Sequence, residues 1–221
     1  MAAKSSPRRP RSSPDATTVI LVRHGTTPTT GRVLPGRAPG LHLSEVGLTQ
    51  ANTAADRISG LTRVDAVYYS PLERARETAA PIARARSLRP KVERGLLECD
   101  FGDWTGAELA TLMKLPEWST VQRAPSTFRF PNGESFTEMQ LRIVSALDRL
   151  RERHPGGTIV CVSHADPIKA AIAHAIGTHL DLFQRIVVST CSISAVSLTA
   201  HGPAVLTVNS TGGPIGDLAL S

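Results

Sequence analysis

The hydrophobic pattern of the chain alternates between two periods. Thr17 to Val22 is β-branched and apolar at nearly every position, which predicts a strand buried on both faces. A Gly/Pro-rich stretch, Gly31 to Gly40, follows. From Ser44 the spacing of Val46, Ala51, Ala54, Ile58 and Leu61 predicts a helix. Asp65 to Tyr69 reads as a second strand. Ser70 and Glu73 are spaced as a capping box, and Pro71 suits a first helical position, so a helix is predicted from Pro71 to about Arg86, bent at Pro81.

Lys91 to Arg94 reads as a short strand, Leu96 to Gly106 as an ordered loop, and Leu115 to Gly133 as an irregular stretch with little periodicity. A second capping box, Ser135 with Glu138, opens a long helix to about Arg153. Thr158 to Ser163 is a third clear strand, and Asp166-Pro167 reads as the cap and first turn of another helix. Ile186 to Val208 is β-rich, with a turn at His201-Gly202-Pro203. Strands alternating with helices predict an α/β domain: a mostly parallel or mixed central sheet with helices on both faces.

At 221 residues the chain suits one domain, placed at residues 17 to 210, between a leader at 1 to 16 and a tail at 211 to 221. The net charge is +6, but Lys4, Arg8, Arg9 and Arg11 against Asp15 put half of it in the leader. That leader lacks Val, Ile, Leu and Phe, so it reads as a solvated, disordered arm rather than a secretory signal. Two Trp, two Tyr and five Phe are few for stacking single-stranded nucleic acid, and no apolar run is long enough to cross a bilayer. No nucleic-acid or membrane partner is expected. Three cysteines, Cys99, Cys161 and Cys191, make no disulfide framework and point to a reducing, cytoplasmic setting.

The chemistry gathers at strand ends. The first strand runs into Arg23-His24-Gly25, the second into a helix with Arg74 in its first turn, and the third into His164 before a helix start. Ligands of open α/β sheets bind beyond the carboxyl ends of the strands, so these four side chains are expected to converge. Arginines and helix N-termini together favour an anion, with phosphate the best fit. Such a field disfavours two imidazolium ions, which leaves at least one histidine neutral and able to act as a nucleophile. His42, His174 and His179 match no metal-ligand spacing, and no metal is expected.

Leu21-Val22-Arg23-His24-Gly25-Thr26-Thr27 resembles the Arg-His-Gly signature of the histidine phosphatase superfamily, phosphoglycerate mutase-like branch. Further blocks agree in order: Leu43 to Gly47 with Gln50-Ala51, Ser70 to Ala75 with Thr78-Ala79, Leu97-Glu98 with Phe101-Gly102 and Trp104 to Gly106, Pro131 to Ser135, and Val162-Ser163-His164. The resemblance implies a phosphoglycerate mutase-like fold in a single domain. It implies that His24 becomes phosphohistidine and that Arg23, Arg74 and His164 hold the phosphoryl oxygens. Thr27, Thr30 and Ala165 would line the same pocket, and Glu98 would donate and then accept the proton.

Leu96, Leu97 and Phe101 could raise the Glu98 pKa, whereas neighbouring arginines would lower it; the sequence leaves that balance open. Thr30 stands where Asn is common, and Lys169 follows His164-Ala165-Asp166 where Gly and a later Arg are common. Arg37 is expected to reach the substrate. The implied activity is hydrolysis of a small-molecule phosphomonoester without cofactor. A phosphoglycerate mutase-type reaction and a catalytically inactive phospholigand-binding protein are the alternatives, and a homodimer is left open.

Overall fold

The structure is a computed structural model that describes residues 16 to 212. The expected basic leader and C-terminal tail therefore fall, beyond their innermost residues, outside the described part. Strands β1 (Thr17–Arg23), β2 (Ala66–Tyr69) and β3 (Lys91–Val92) alternate with helices α1 (Glu45–Ser59) and α2 (Glu73–Ala85). Short helices α3 (Leu109–Leu112) and α4 (Trp118–Arg123) precede the long α5 (Phe136–Arg153). The chain then forms β4 (Thr158–Ser163), α6 (Ala165–Ala175), β5 (Ile193–Thr199) and β6 (Gly202–Ser210). The six strands make one mixed sheet in the order β3-β2-β4-β1-β5-β6.

β1 pairs in parallel with β4 from Thr18↔Thr158 to Arg23↔Ser163, and antiparallel with β5 on its other side. Its uninterrupted apolar sequence follows from that central place. Val19 and Leu21 pack with α5 and α6 residues such as Ile143, Leu147 and Ile172, whereas Ile20 and Val22 pack with Ile58 of α1 and Ala79 and Ile82 of α2. Alternate side chains thus enter two different cores, one on each face of the sheet.

The helix start predicted at Ser44 and the capping box predicted at Ser135 both form. Ser44 accepts from the Gly47 N–H, and Ser135 with Glu138 makes a complete capping box. Other expectations need correction. Val46 is 60% exposed, because the buried stripe of α1 starts at Gly47 and runs through Ala51, Ala54 and Ile58. Gly47 is where α1 meets the loop after β1: a Cβ there would lie 2.0 Å from the Thr26 carbonyl oxygen, so only glycine allows the approach.

α2 begins at Glu73 with no side-chain cap, and the Ser70 hydroxyl is hydrogen-bonded to His164 instead. α6 starts at Ala165 with His164 as its cap residue, which places Asp166 and Pro167 inside the first turn, where a proline's missing N–H costs nothing. β3 is shorter than expected, and 186 to 192 is loop rather than strand. The stretch after Leu115 contains α4 and a 3-10 turn, Pro125–Thr127.

All five phenylalanines and both tryptophans join one chain of ring contacts beside the sheet. Phe101 and Trp104 each meet Phe130 edge to face, at 4.9 and 5.4 Å, and Phe136 links Phe130 to Phe183. The loop that carries Glu98 is therefore anchored by aromatic packing rather than by regular backbone pairing.

Candidate active site

Because β1 and β4 are parallel neighbours, their carboxyl ends lie side by side, and the residues just past them meet. The rings of His24 and His164 are 5.1 Å apart, nearly edge to face. Arg74 enters from the first turn of α2, completely buried, and Arg23 lies at the end of β1. Glu98 comes from the loop after β3 and is buried as well. All the residues expected from the strand-end pattern are brought together.

The hydrogen bonds of His24 fix its tautomer. Nδ1 lies 2.8 Å from the Gly25 carbonyl oxygen, which can only accept, so Nδ1 carries the proton. Nε2 keeps its lone pair, toward which the Arg74 Nε–H points at 3.3 Å. Burial, and then the guanidiniums of Arg74 and Arg23, hold the His24 pKa well below the ordinary value. The imidazole is neutral and can attack an electrophile through Nε2. Burial, Arg74 and His24 likewise keep His164 neutral, with its Nε2 held 2.7 Å from the Ser70 hydroxyl.

Each guanidinium is aimed by a backbone carbonyl. Arg23 Nη1 donates to Val188 O at 2.7 Å, and Arg74 Nη2 donates to Gly36 O at 2.8 Å. Arg23 Nε, Arg74 Nη1 and His164 Nδ1 are buried and have no hydrogen-bond partner among the described residues. Two unpartnered guanidinium N–H groups, with the His164 ring at the start of α6, suit the oxygens of a phosphoryl group. Thr27 is buried beside them, its N–H donating to the Thr30 hydroxyl at 2.9 Å, and both threonines line the pocket along with Ala165.

The balance at Glu98 falls to burial. Desolvation, followed by repulsion from the Asp166 carboxylate, raises its pKa to about 7, against the opposing pull of Arg74, the Cys99 N–H and Arg23. Glu98 is thus poised to give up or take a proton near neutrality. Sequence reasoning missed Asp166 in this role and read it as a helix cap.

Arg37 takes a different place from the one expected. Its Nε donates to the Glu98 carbonyl oxygen at 2.8 Å, and its Nη atoms pair with Asp100 and Glu134. From the opposite side Arg142 of α5 donates to the carbonyls of Gly95, Leu97 and Glu98 while pairing with Glu134. The two arginines clamp the backbone that presents Glu98; Arg37 supports the loop rather than reaching into the pocket. Arg142→Met should remove donors from three loop carbonyls and cost about 2–4 kcal/mol, measurable by denaturant unfolding.

Among the described residues no group of three or more His, Cys, Asp or Glu could hold a metal ion, and no helix is long and apolar enough to cross a membrane.

Known proteins resemble this chain in sequence and fold. The chain is 34% identical over 200 residues to the bifunctional protein Rv2228c of Mycobacterium tuberculosis, covering 89% of this chain and 54% of that protein. It thus spans about half the length of that relative. It is 32% identical over 198 residues to phosphoserine phosphatase 1 of Hydrogenobacter thermophilus, covering 87% of this chain and 92% of the other. A phosphoserine phosphatase mutant from Entamoeba histolytica, solved in complex with phosphoserine, superposes with a TM-score of 0.79 at 27% identity, covering 88% of this chain and 98% of that one. The family profile matches residues 19–211, which include every element that builds the pocket, and the chain belongs to the histidine phosphatase superfamily (branch 1).

Proposed function

We propose that the protein hydrolyses small phosphomonoesters through a phosphohistidine at His24. The observation that carries this reading is the pairing of a neutral imidazole, its Nε2 lone pair free of the backbone, with a buried carboxyl whose pKa lies at about 7. In the first step Nε2 attacks phosphorus and the ester P–O bond breaks. Glu98, protonated, gives its proton to the departing alkoxide. In the second step the Glu98 carboxylate takes a proton from water, the oxygen attacks phosphorus, and the N–P bond breaks, returning His24 and Glu98 to their starting forms with release of phosphate. Arg23, Arg74 and His164 hold the phosphoryl oxygens throughout, and their fixed positions mean little reorganisation as charge moves.

The relatives named as phosphoserine phosphatases support a hydrolase. A mutase acting on phosphoglycerate must grip a second anionic group while the product turns over. Of the cations between Glu98 and the Gly133-Glu134-Ser135 block, Lys114, Arg123 and Arg129 are exposed and none lines the pocket; Arg129 is paired with Glu138. Incubation with 3-phosphoglycerate is therefore expected to yield free phosphate and glycerate, with EDTA having no effect. Formation of 2-phosphoglycerate faster than phosphate would reassign the protein as a mutase. A loss of turnover on chelation, restored by a divalent ion, would refute the metal-free route.

A further inference from the structure

The phosphate cradle and the space beyond it form one pocket of about 270 Å³, small against the ~300–1,000 Å³ usual for ligand sites. Its outer part is lined by Val33, Leu34, Leu109 and Trp118, all half-buried, and by buried Val121, with Gln122 and Gln184 as uncharged polar groups. Trp118 is held by stacking on Trp104 with the two rings only 24° from parallel, so it presents a fixed, flat surface.

The charge in this outer part is already spoken for. Lys169 is the cation that lines it apart from the cradle, and only 17% of its side chain is exposed. Its Nζ bonds Asp166 at 3.3 Å and Gln184 at 3.0 Å, and lies 5.9 Å from the centre of the Phe183 ring. Asp166 lines the same space and adds a negative charge. A carboxylate on the alcohol part of a substrate would lose water against aliphatic walls, find its only cation paired, and face Asp166. An uncharged ring would bury apolar surface at no such cost.

We propose that the preferred substrates are monoesters of uncharged alcohols bearing a flat apolar ring, which lies against Trp118 and the Val33, Leu34 and Leu109 wall. This rests on the phosphatase reading above and adds the class of alcohol. The test compares 2-phenylethyl phosphate with O-phosphoserine and 3-phosphoglycerate, all esters of primary alcohols, by phosphate release. The ring ester should show a kcat/KM about tenfold or more above either carboxylate-bearing ester, the zwitterionic phosphoserine included. Trp118→Leu should shrink that advantage about tenfold, with inhibition by inorganic phosphate reporting that fold and cradle are intact.

A preference for either carboxylate-bearing ester, especially one abolished by Lys169→Met, overturns the proposal and leaves the phosphatase standing. An unchanged advantage in Trp118→Leu removes the ring from that wall. Failure to release phosphate from any of the three esters ends both readings. The ranking of the unmodified protein needs no variant, so it decides the question even where Trp118→Leu proves unstable.

Discussion

His24→Ala is expected to lower phosphomonoester turnover by about 10⁴-fold or more, because it deletes the atom that bonds phosphorus in the proposed mechanism. The fold should survive. The ring sits at the end of β1 beside α2, and its removal leaves the paired strands, the aromatic cluster and the Arg37–Glu134–Arg142 clamp untouched. Inorganic phosphate should still bind, since Arg23, Arg74 and His164 keep their bonds to Val188 O, Gly36 O and the Ser70 hydroxyl when the Arg74–His24 bond is lost. Quenching the unmodified enzyme during turnover of labelled substrate should trap a phosphoryl group on His24 that is stable in alkali and labile in acid. A phosphoryl group found on any other residue, or an active His24→Ala protein, sinks the mechanism.

Glu98→Gln should cost about 10²–10⁴-fold in kcat, and the loss should depend on the leaving group. An alkyl ester releases a strongly basic alkoxide and needs the proton; p-nitrophenyl phosphate releases a weakly basic phenolate and does not. The variant should therefore keep far more of its activity on the aryl ester. The pH dependence has a fixed sign. Glu98 donates only while protonated, and burial with Asp166 nearby holds its pKa at about 7. In the unmodified enzyme kcat/KM for an alkyl ester should decline as pH rises through about 7, and Glu98→Gln should lack that limb. Asp166→Asn withdraws one of the causes of the elevation and should move the limb to lower pH. A limb unmoved by either change would mean that another group supplies the proton.

How much of this was legible beforehand depends on the reach of the interaction concerned. β1 and β4 are apolar at consecutive positions because both faces of each are covered, and that signal lies within six or seven residues. The caps at Ser44 and Ser135 are equally local. The site histidines and arginines were legible because strand ends are, and a sheet brings its strand ends together. What escaped depends on partners far along the chain. Ser70 has the right neighbours for a helix cap, yet its hydroxyl is engaged by His164, 94 residues away. In the sequence Arg37 suits a substrate or a loop carbonyl equally well, and nothing there says that it turns to the Glu98 carbonyl. Arg142 lies in an ordinary amphipathic helix, and only the packing of α5 under the 95 to 98 backbone makes it a clamp. The Glu98 pKa turned on depth of burial against two nearby guanidiniums, a comparison of magnitudes that spacing does not contain.

The parallel pairing of β1 with β4 has a consequence for when activity can exist at all. The His24 N–H donates to Ser163 O at 3.0 Å, so the two histidines are neighbours only while this pair holds its register. The segments that meet there lie 140 positions apart, and a parallel pair cannot be closed by a hairpin; everything between must cross over and return first. No early, locally folded intermediate can contain the site, and a slip of one residue would turn alternate side chains to the opposite face. Regained turnover during refolding is therefore expected to report formation of the β1–β4 pair, and a proteolytic cut that frees either strand to silence the enzyme however well the remaining helices persist.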